Sequence, residues 1–201
     1  MKTHHPTRDA LVATVVRLLE SSQPQDITLD LVLKESGISH GSLYHHFGAF
    51  PNLIDHALAA RFSGYVDRSI DLLTEAAMHA QTREQLLASL KFVTANTQGP
   101  ELSLIRAYRM EALAQGNLRP EFGALLGAEQ QRLTDAIADL VRDAQAKGLY
   151  RAELDPVVVA VFIQSYTLGR AVDDVTPKHM SQDAWNNLVN SIIEKVLVVE
   201  E

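Results

Sequence analysis

Along most of the chain apolar residues return every three or four positions, and no stretch alternates apolar with polar residues long enough to make a strand. The pattern predicts an all-α protein. Leu11, Val12, Val15, Val16 and Leu19 form the stripe of a first helix, closed by Gln23-Pro24-Gln25-Asp26. A short second helix is expected from Thr28 as N-cap, through Leu29, Val32 and Leu33, to a stop at Gly37. Ser39 then caps a third helix over about residues 40–47, which Gly48-Ala49-Phe50-Pro51 breaks, and Pro51 suits the first position of a long fourth helix. Further on, Thr82 caps a helix through Thr97. Gly99-Pro100 opens the next, which Gly116-Asn117 closes, and a long amphipathic helix runs from Pro120 to Lys147. Asp155-Pro156 begins a helix reaching about Asp173. Beyond Thr176-Pro177 a last helix presents Trp185, Leu188, Val189, Ile192, Ile193, Val196 and Leu197 on one face.

Residues 28–47 meet the requirements of a helix-turn-helix: two short helices, a glycine in the turn, an apolar lock and a polar face on the second helix. Gly37 is the turn, and Val32, Leu33, Ile38, Leu43 and Phe47 are the lock. Ser39, His40, Gly41, Ser42, Tyr44, His45 and His46 remain for the exposed face, where Gly41 allows close approach of DNA and the hydroxyls offer donors to phosphate. The division expected is a DNA-binding domain over 1–50 and a larger helical domain over 51–201.

Charge narrows how such a face would work. The chain of 201 residues carries a formal charge of −7, which excludes a protein that coats DNA through a general basic surface. Residues 1–50 hold four Lys and Arg against five Asp and Glu, but also five of the eight histidines, which can donate to phosphates and bases. With no cysteine, no apolar leader at the N-terminus and no apolar run near the roughly 20 residues of a membrane span, a cytoplasmic protein is expected.

The run Ser36-Gly37-Ile38-Ser39-His40-Gly41-Ser42-Leu43-Tyr44-His45-His46-Phe47, with Thr28-Leu29 ahead of it, resembles the signature of the tetracycline-repressor (TetR) family of transcriptional regulators. The likeness covers roughly residues 8–60, and Gly148 to Pro156 is similar to a turn of that family's C-terminal domains. It implies that Thr28, Ser42, Tyr44 and His46 hold phosphates while His40, Gly41 and His45 face bases. It further implies a homodimer on palindromic double-stranded operator DNA, usually a repressor released by a small-molecule effector. Two positions depart from the family pattern: Phe50 stands where a phosphate-binding lysine is common, and Leu33 where a small residue is common.

The helix from residue 156 is apolar all round and needs cover on every side, so the dimer is expected through the 156–173 and 182–199 helices of each subunit. For the effector, Arg106, Tyr108, Arg109, Met110 and Tyr166, with Gln164, are candidates to line a pocket. The alternative is that the arginines are solvated or paired with Glu101, Glu111 or Glu121. An arginine facing a cavity would suit an anion. A DNA-binding dimer without inducer is the other form of the same reading. A helical-bundle metal enzyme is the reading from another class, and it lacks its motif: no Glu-x-x-His pair occurs, Glu75 and His79 being four apart, and the neighbours His45 and His46 point to different sides of a helix. No cofactor, metal site or catalytic residue is expected.

Overall fold

The computed structural model describes residues 5–77 and 80–199; Met1 to His4 and His79, and with it the Glu75–His79 spacing, lie outside the described residues. Ten α-helices follow one another among the described residues: α1 Pro6–Leu18, α2 Leu29–Ser36, α3 His40–Phe47, α4 Phe50–Ala77, α5 Arg83–Thr97, α6 Ser103–Leu118, α7 Pro120–Ala146, α8 Pro156–Gly169, α9 Ala171–Asp174 and α10 Gln182–Ile192. The starts follow from local chemistry. Thr28, Ser39, Thr82, Asp155 and Ser181 each accept a backbone N–H of the first turn through the side chain, satisfying donors that have no partner inside the helix.

Two apolar cores lie in sequence. Leu11, Val15, Val32, Leu43, Leu53 and Ala57 fill the N-terminal one, tying α1, α2 and α3 to the first turns of α4. Phe62, Val66, Phe122, Ile137, Val159 and Val189 belong to the larger one, built from α4, α5, α7, α8 and α10. Leu58 packs against both. A division at 50/51 therefore cuts through the first core, because Leu53 and Ala57 fill it from α4. One uninterrupted helix, α4, contributes to both cores.

Four boundaries differ from expectation, each for a visible reason. Helix α4 begins one residue early, at Phe50, with Pro51 in its first turn, where a missing N–H costs nothing. Helix α6 runs past Gly116 to Leu118. Gly116 serves a helix crossing instead of a stop: a β-carbon on Gly123 of α7 would lie 2.4 Å from the Gly116 carbonyl oxygen. The helix from Pro156 ends at Gly169, a poor helix former, and the separate turn α9 carries Asp174 against α6. Helix α10 ends at Ile192 and widens into one turn over Ile193–Leu197, after which Val198 pairs with Tyr150. The backbone bonds from Arg151 N to Leu197 O (2.9 Å) and from Val199 N to Leu149 O (3.0 Å) anchor the chain end to the turn that Gly148 makes with φ 72°.

Candidate DNA-binding surface and effector cavity

Helix α3 is held at both ends and along one side. Ser39 accepts the Ser42 N–H at 3.3 Å, and at the other end Gly48 turns away with φ 71° while Asn52 Nδ2 donates to the Phe47 carbonyl at 2.8 Å. Leu43 and Phe47 are buried, and α2 approaches through the turn at Gly37, φ 68°. What remains is an outward strip. Thr28, Ser39, His40, Gly41 and His45 are exposed, Tyr44 is 40% exposed, and Ser42 and His46 are half-buried.

The strip carries no carboxylate. The His40 and Tyr44 rings lie 4.5 Å apart, and His45 and His46 are 5.1 Å apart and edge-on. The Ser39 and Ser42 hydroxyls are 3.0 Å apart, so one proton satisfies that bond and the other is free for an outside acceptor. A β-carbon on Gly41 would meet nothing among the described residues within 4 Å. Packing among the described residues therefore gives no reason for glycine there.

Sequence reasoning missed the support behind this strip. Arg8 of α1 lies over the Phe47 ring at 5.3 Å, with Nη2 3.2 Å from His56 Nδ1 of α4. Burial, and then the charge of Arg8, pull the His56 pKa below its ordinary value, which keeps the nitrogen free to accept. Nothing in the spacing of residues 8, 47 and 56 announces this contact, because it joins three helices. Phe50 is half-buried and packs against the N-terminal core, as does Leu33; neither belongs to the exposed strip.

In the larger unit a cavity of about 230 Å³ opens between α4, α5, α6, α7 and α8. Arg106, Arg109, Gln164 and Tyr166 line it, as do Arg68 and Asn96. Two of the residues expected there lie elsewhere. Tyr108 points from α6 toward α4, where the Arg61 guanidinium sits 4.2 Å from its ring, and Met110 is 43% exposed on the outer side. With about 100° between successive residues, Tyr108 falls on the side of α6 away from Arg106, whereas Met110, roughly 40° from Arg106, stands at the edge of the same side and is left uncovered.

The two arginines differ in kind. Arg106 is paired, and its partner is none of the three glutamates expected. Its Nε and Nη2 donate to Asp174 at 2.7 and 2.6 Å, and Nη1 donates to the Gly99 carbonyl at 2.9 Å. These bonds hold the Asp174 carboxyl below the usual aspartate range. Arg109 is 8% exposed, and its Nε has no acceptor among the described residues. Burial lowers its pKa, although a guanidinium stays charged. Gln164 is committed, donating to Thr134 Oγ1 and the Ala160 carbonyl at 3.1 Å each and accepting from Gln130 at 2.6 Å. Burial pushes the Tyr166 hydroxyl up to about 12, so it keeps its proton.

The outer faces of α8 and α10 are apolar. Val157, Val158, Val161 and Phe162 of α8 are exposed, and so are Leu188 of α10 and Val196 just beyond it. Trp185, expected on this face, is turned partly inward, where Nε1 donates to the buried Gln98 Oε1 at 2.9 Å. The apolar face of α10 is thus split between the chain's own core and the outside. No helix among the described residues is long and apolar enough to cross a membrane, and no group of three or more His, Cys, Asp or Glu is placed to hold a metal ion.

Comparison with solved structures defines the class. A TetR-family transcriptional regulator of Pectobacterium atrosepticum matches with a TM-score of 0.65 at 19% identity, over 96% of this chain and 95% of that one. A transcriptional regulator of Saccharomonospora viridis in complex with choline gives 0.65 at 19% identity, over 96% and 98%. The chain has the fold of the TetR-family transcriptional regulators, as its helix-turn-helix signature predicts. Among individual curated proteins it is similar to the HTH-type transcriptional regulator UidR of Escherichia coli K12, 22% identical over 179 residues that make up 89% of this chain and 86% of the relative. No protein-family model matches the chain.

Proposed function

We propose that this chain is a DNA-binding transcriptional regulator that reads a palindromic operator as a homodimer and leaves it when a small molecule enters the cavity. The observation that carries the reading is the strip on α3: a rigidly capped helix that turns His40, Gly41, Tyr44 and His45 outward, beside the half-buried Ser42, with a glycine that no contact among the described residues requires. Thr28, Ser39, Ser42, Tyr44 and His46 hold phosphates, and His40, Gly41 and His45 face base edges in the major groove.

Dimerisation covers the apolar outer faces of α8 and α10, as two copies of each make a four-helix contact. It sets the two α3 helices about 34 Å, or a multiple of that, apart. Helix α6 links cavity to operator. It lines the cavity with Arg106 and Arg109, meets Arg61 through Tyr108, and just past its end Arg119 pairs with Asp55 near the start of α4. Arg61 also donates to the Leu19 carbonyl at the end of α1, at 3.4 Å. A ligand that shifts α6 therefore moves α4 and the DNA-binding unit together, and it releases DNA to the extent that it prefers the form that does not fit the operator.

Selection of duplexes from a random pool, followed by gel shift, tests the DNA reading. A palindromic consensus is expected, with Tyr44→Phe and Ser42→Ala weakening all sites alike. His40→Ala and His45→Ala should change the preferred bases, by about 1–3 kcal/mol per contacted pair. An unchanged consensus for both histidine variants refutes the readout assignment, and a strictly monomeric particle refutes the dimer.

A further inference from the structure

We infer that the cavity takes a small organic carboxylate with an apolar body, and that Arg109 meets its charge. The inference rests on reading this cavity as the effector site and adds the chemical class. Charge accounting carries it. The cavity wall includes Arg68, Arg106 and Arg109, and among the described residues none that lines it is an Asp or Glu. Asp174 neutralises Arg106 from behind, and Arg68 is exposed at the rim, over the Tyr65 ring at 4.9 Å. Of these three, Arg109 alone is both buried and without a counter-charge among the described residues. Its guanidinium lies 6.0 Å from the Phe62 ring, at the limit of a cation–π contact.

A guanidinium cannot shed its charge at neutral pH, and an unpaired ion in a low-dielectric wall is costly. The missing anion is what a bound ligand supplies. The planar fork of donors fits a carboxylate in two parallel hydrogen bonds. One uncompensated positive charge matches a monoanion, and it leaves a dianionic phosphate ester over-charged. Leu72, Leu73, Ile105, Leu133, Ile137 and Ile163 make most of the remaining wall apolar, so the rest of the ligand is apolar or aromatic. Tyr166 keeps its proton at this wall, with no hydrogen bond to its hydroxyl among the described residues, and serves as a neutral donor. Gln164, fully bonded inside the chain, is not available.

The test uses matched acids and amides on the full-length protein: benzoate and benzamide, phenylacetate and phenylacetamide, hexanoate and hexanamide, with phenyl phosphate as the dianionic arm. Calorimetric titration of at least one pair is expected to show the acid binding about 10- to 100-fold tighter than its amide. The preference should vanish in Arg109→Met and survive in Arg109→Lys. Without ligand, Arg109→Met should melt at or above the parent temperature, since it removes an unpaired charge; a clear fall in melting temperature would mean that the guanidinium has an internal partner and would overturn the inference. Equal binding of acid and amide, tighter binding of phenyl phosphate, a preference that persists in Arg109→Met, or no binding by any acid overturns it as well. Gel shift separates this inference from the effector reading beneath it. An acid that binds through Arg109 but leaves the operator complex intact upholds the carboxylate site and sinks the effector role, whereas release of operator by an amide alone does the reverse.

Discussion

Replacing Asp174 by alanine removes both acceptors of the Arg106 fork at 2.6 and 2.7 Å and leaves that guanidinium with only the Gly99 carbonyl. Breaking a buried ion pair from one side costs about 3–5 kcal/mol, because the surviving charge stays desolvated. The Arg106 side chain is 3% exposed and that of Asp174 is 11% exposed, so some water reaches the vacated side, which points to the lower end of that range. For a chain of this length about 3 kcal/mol corresponds to a fall in melting temperature of roughly 6–12 °C. Calorimetry or circular dichroism at fixed protomer concentration reads it, since an associating protein melts in a concentration-dependent way.

The double variant Arg106→Met/Asp174→Ala, which removes both charges, should recover most of the loss. Acid provides a second axis. The folded-state pKa of Asp174 is depressed, so its contribution is fully present above the ordinary aspartate pKa of about 3.9 and is lost as pH falls through the folded value. The gap between parent and Asp174→Asn should therefore close in acid. A loss below about 1 kcal/mol in Asp174→Ala, or a double variant as unstable as the single one, would show that charge pairing is not what holds α9 to α6.

Gly123→Ala should destabilise by about 1–3 kcal/mol or more in denaturant unfolding, because its methyl would sit 2.4 Å from the Gly116 carbonyl oxygen and the α6–α7 crossing must open. Arg61→Ala should keep operator affinity but weaken ligand-induced release in a gel shift, because it cuts the link from Tyr108 to the Leu19 carbonyl; unchanged release would remove that link from the mechanism. His56 is neutral in both states above its unfolded pKa of about 6.5, and below that the unfolded chain takes a proton the folded one resists. Stability should therefore fall as pH drops below about 6.5, with a smaller fall in His56→Gln, as measured by urea unfolding at a series of pH values.

Local chemistry made α2 and α3 legible residue by residue. Thr28, Gly37, Ser39 and Gly48 each perform at their own position the task their side chain or backbone allows, and that needs no knowledge of the rest of the fold. The same holds for Thr82, Asp155 and Pro156. Face assignment was harder. Arg106 and Arg109 turn into the cavity while Met110, on nearly the same side by periodicity, reaches solvent, because the direction of a helix face depends on which neighbours cover it. Trp185 belongs to an apolar stripe in sequence, yet its indole N–H is held inward by Gln98, 87 residues away.

By itself, then, the order of residues determined the helices, their caps and the polar strip on α3, since each depends on interactions spanning a few positions. Only the tertiary structure decided that Asp174 neutralises Arg106 across 68 residues while Arg109 is left without an acceptor for its Nε, and that α4 carries one core at each end. Pairing and desolvation of charge depend on distance in space, which the spacing of letters along a chain does not encode.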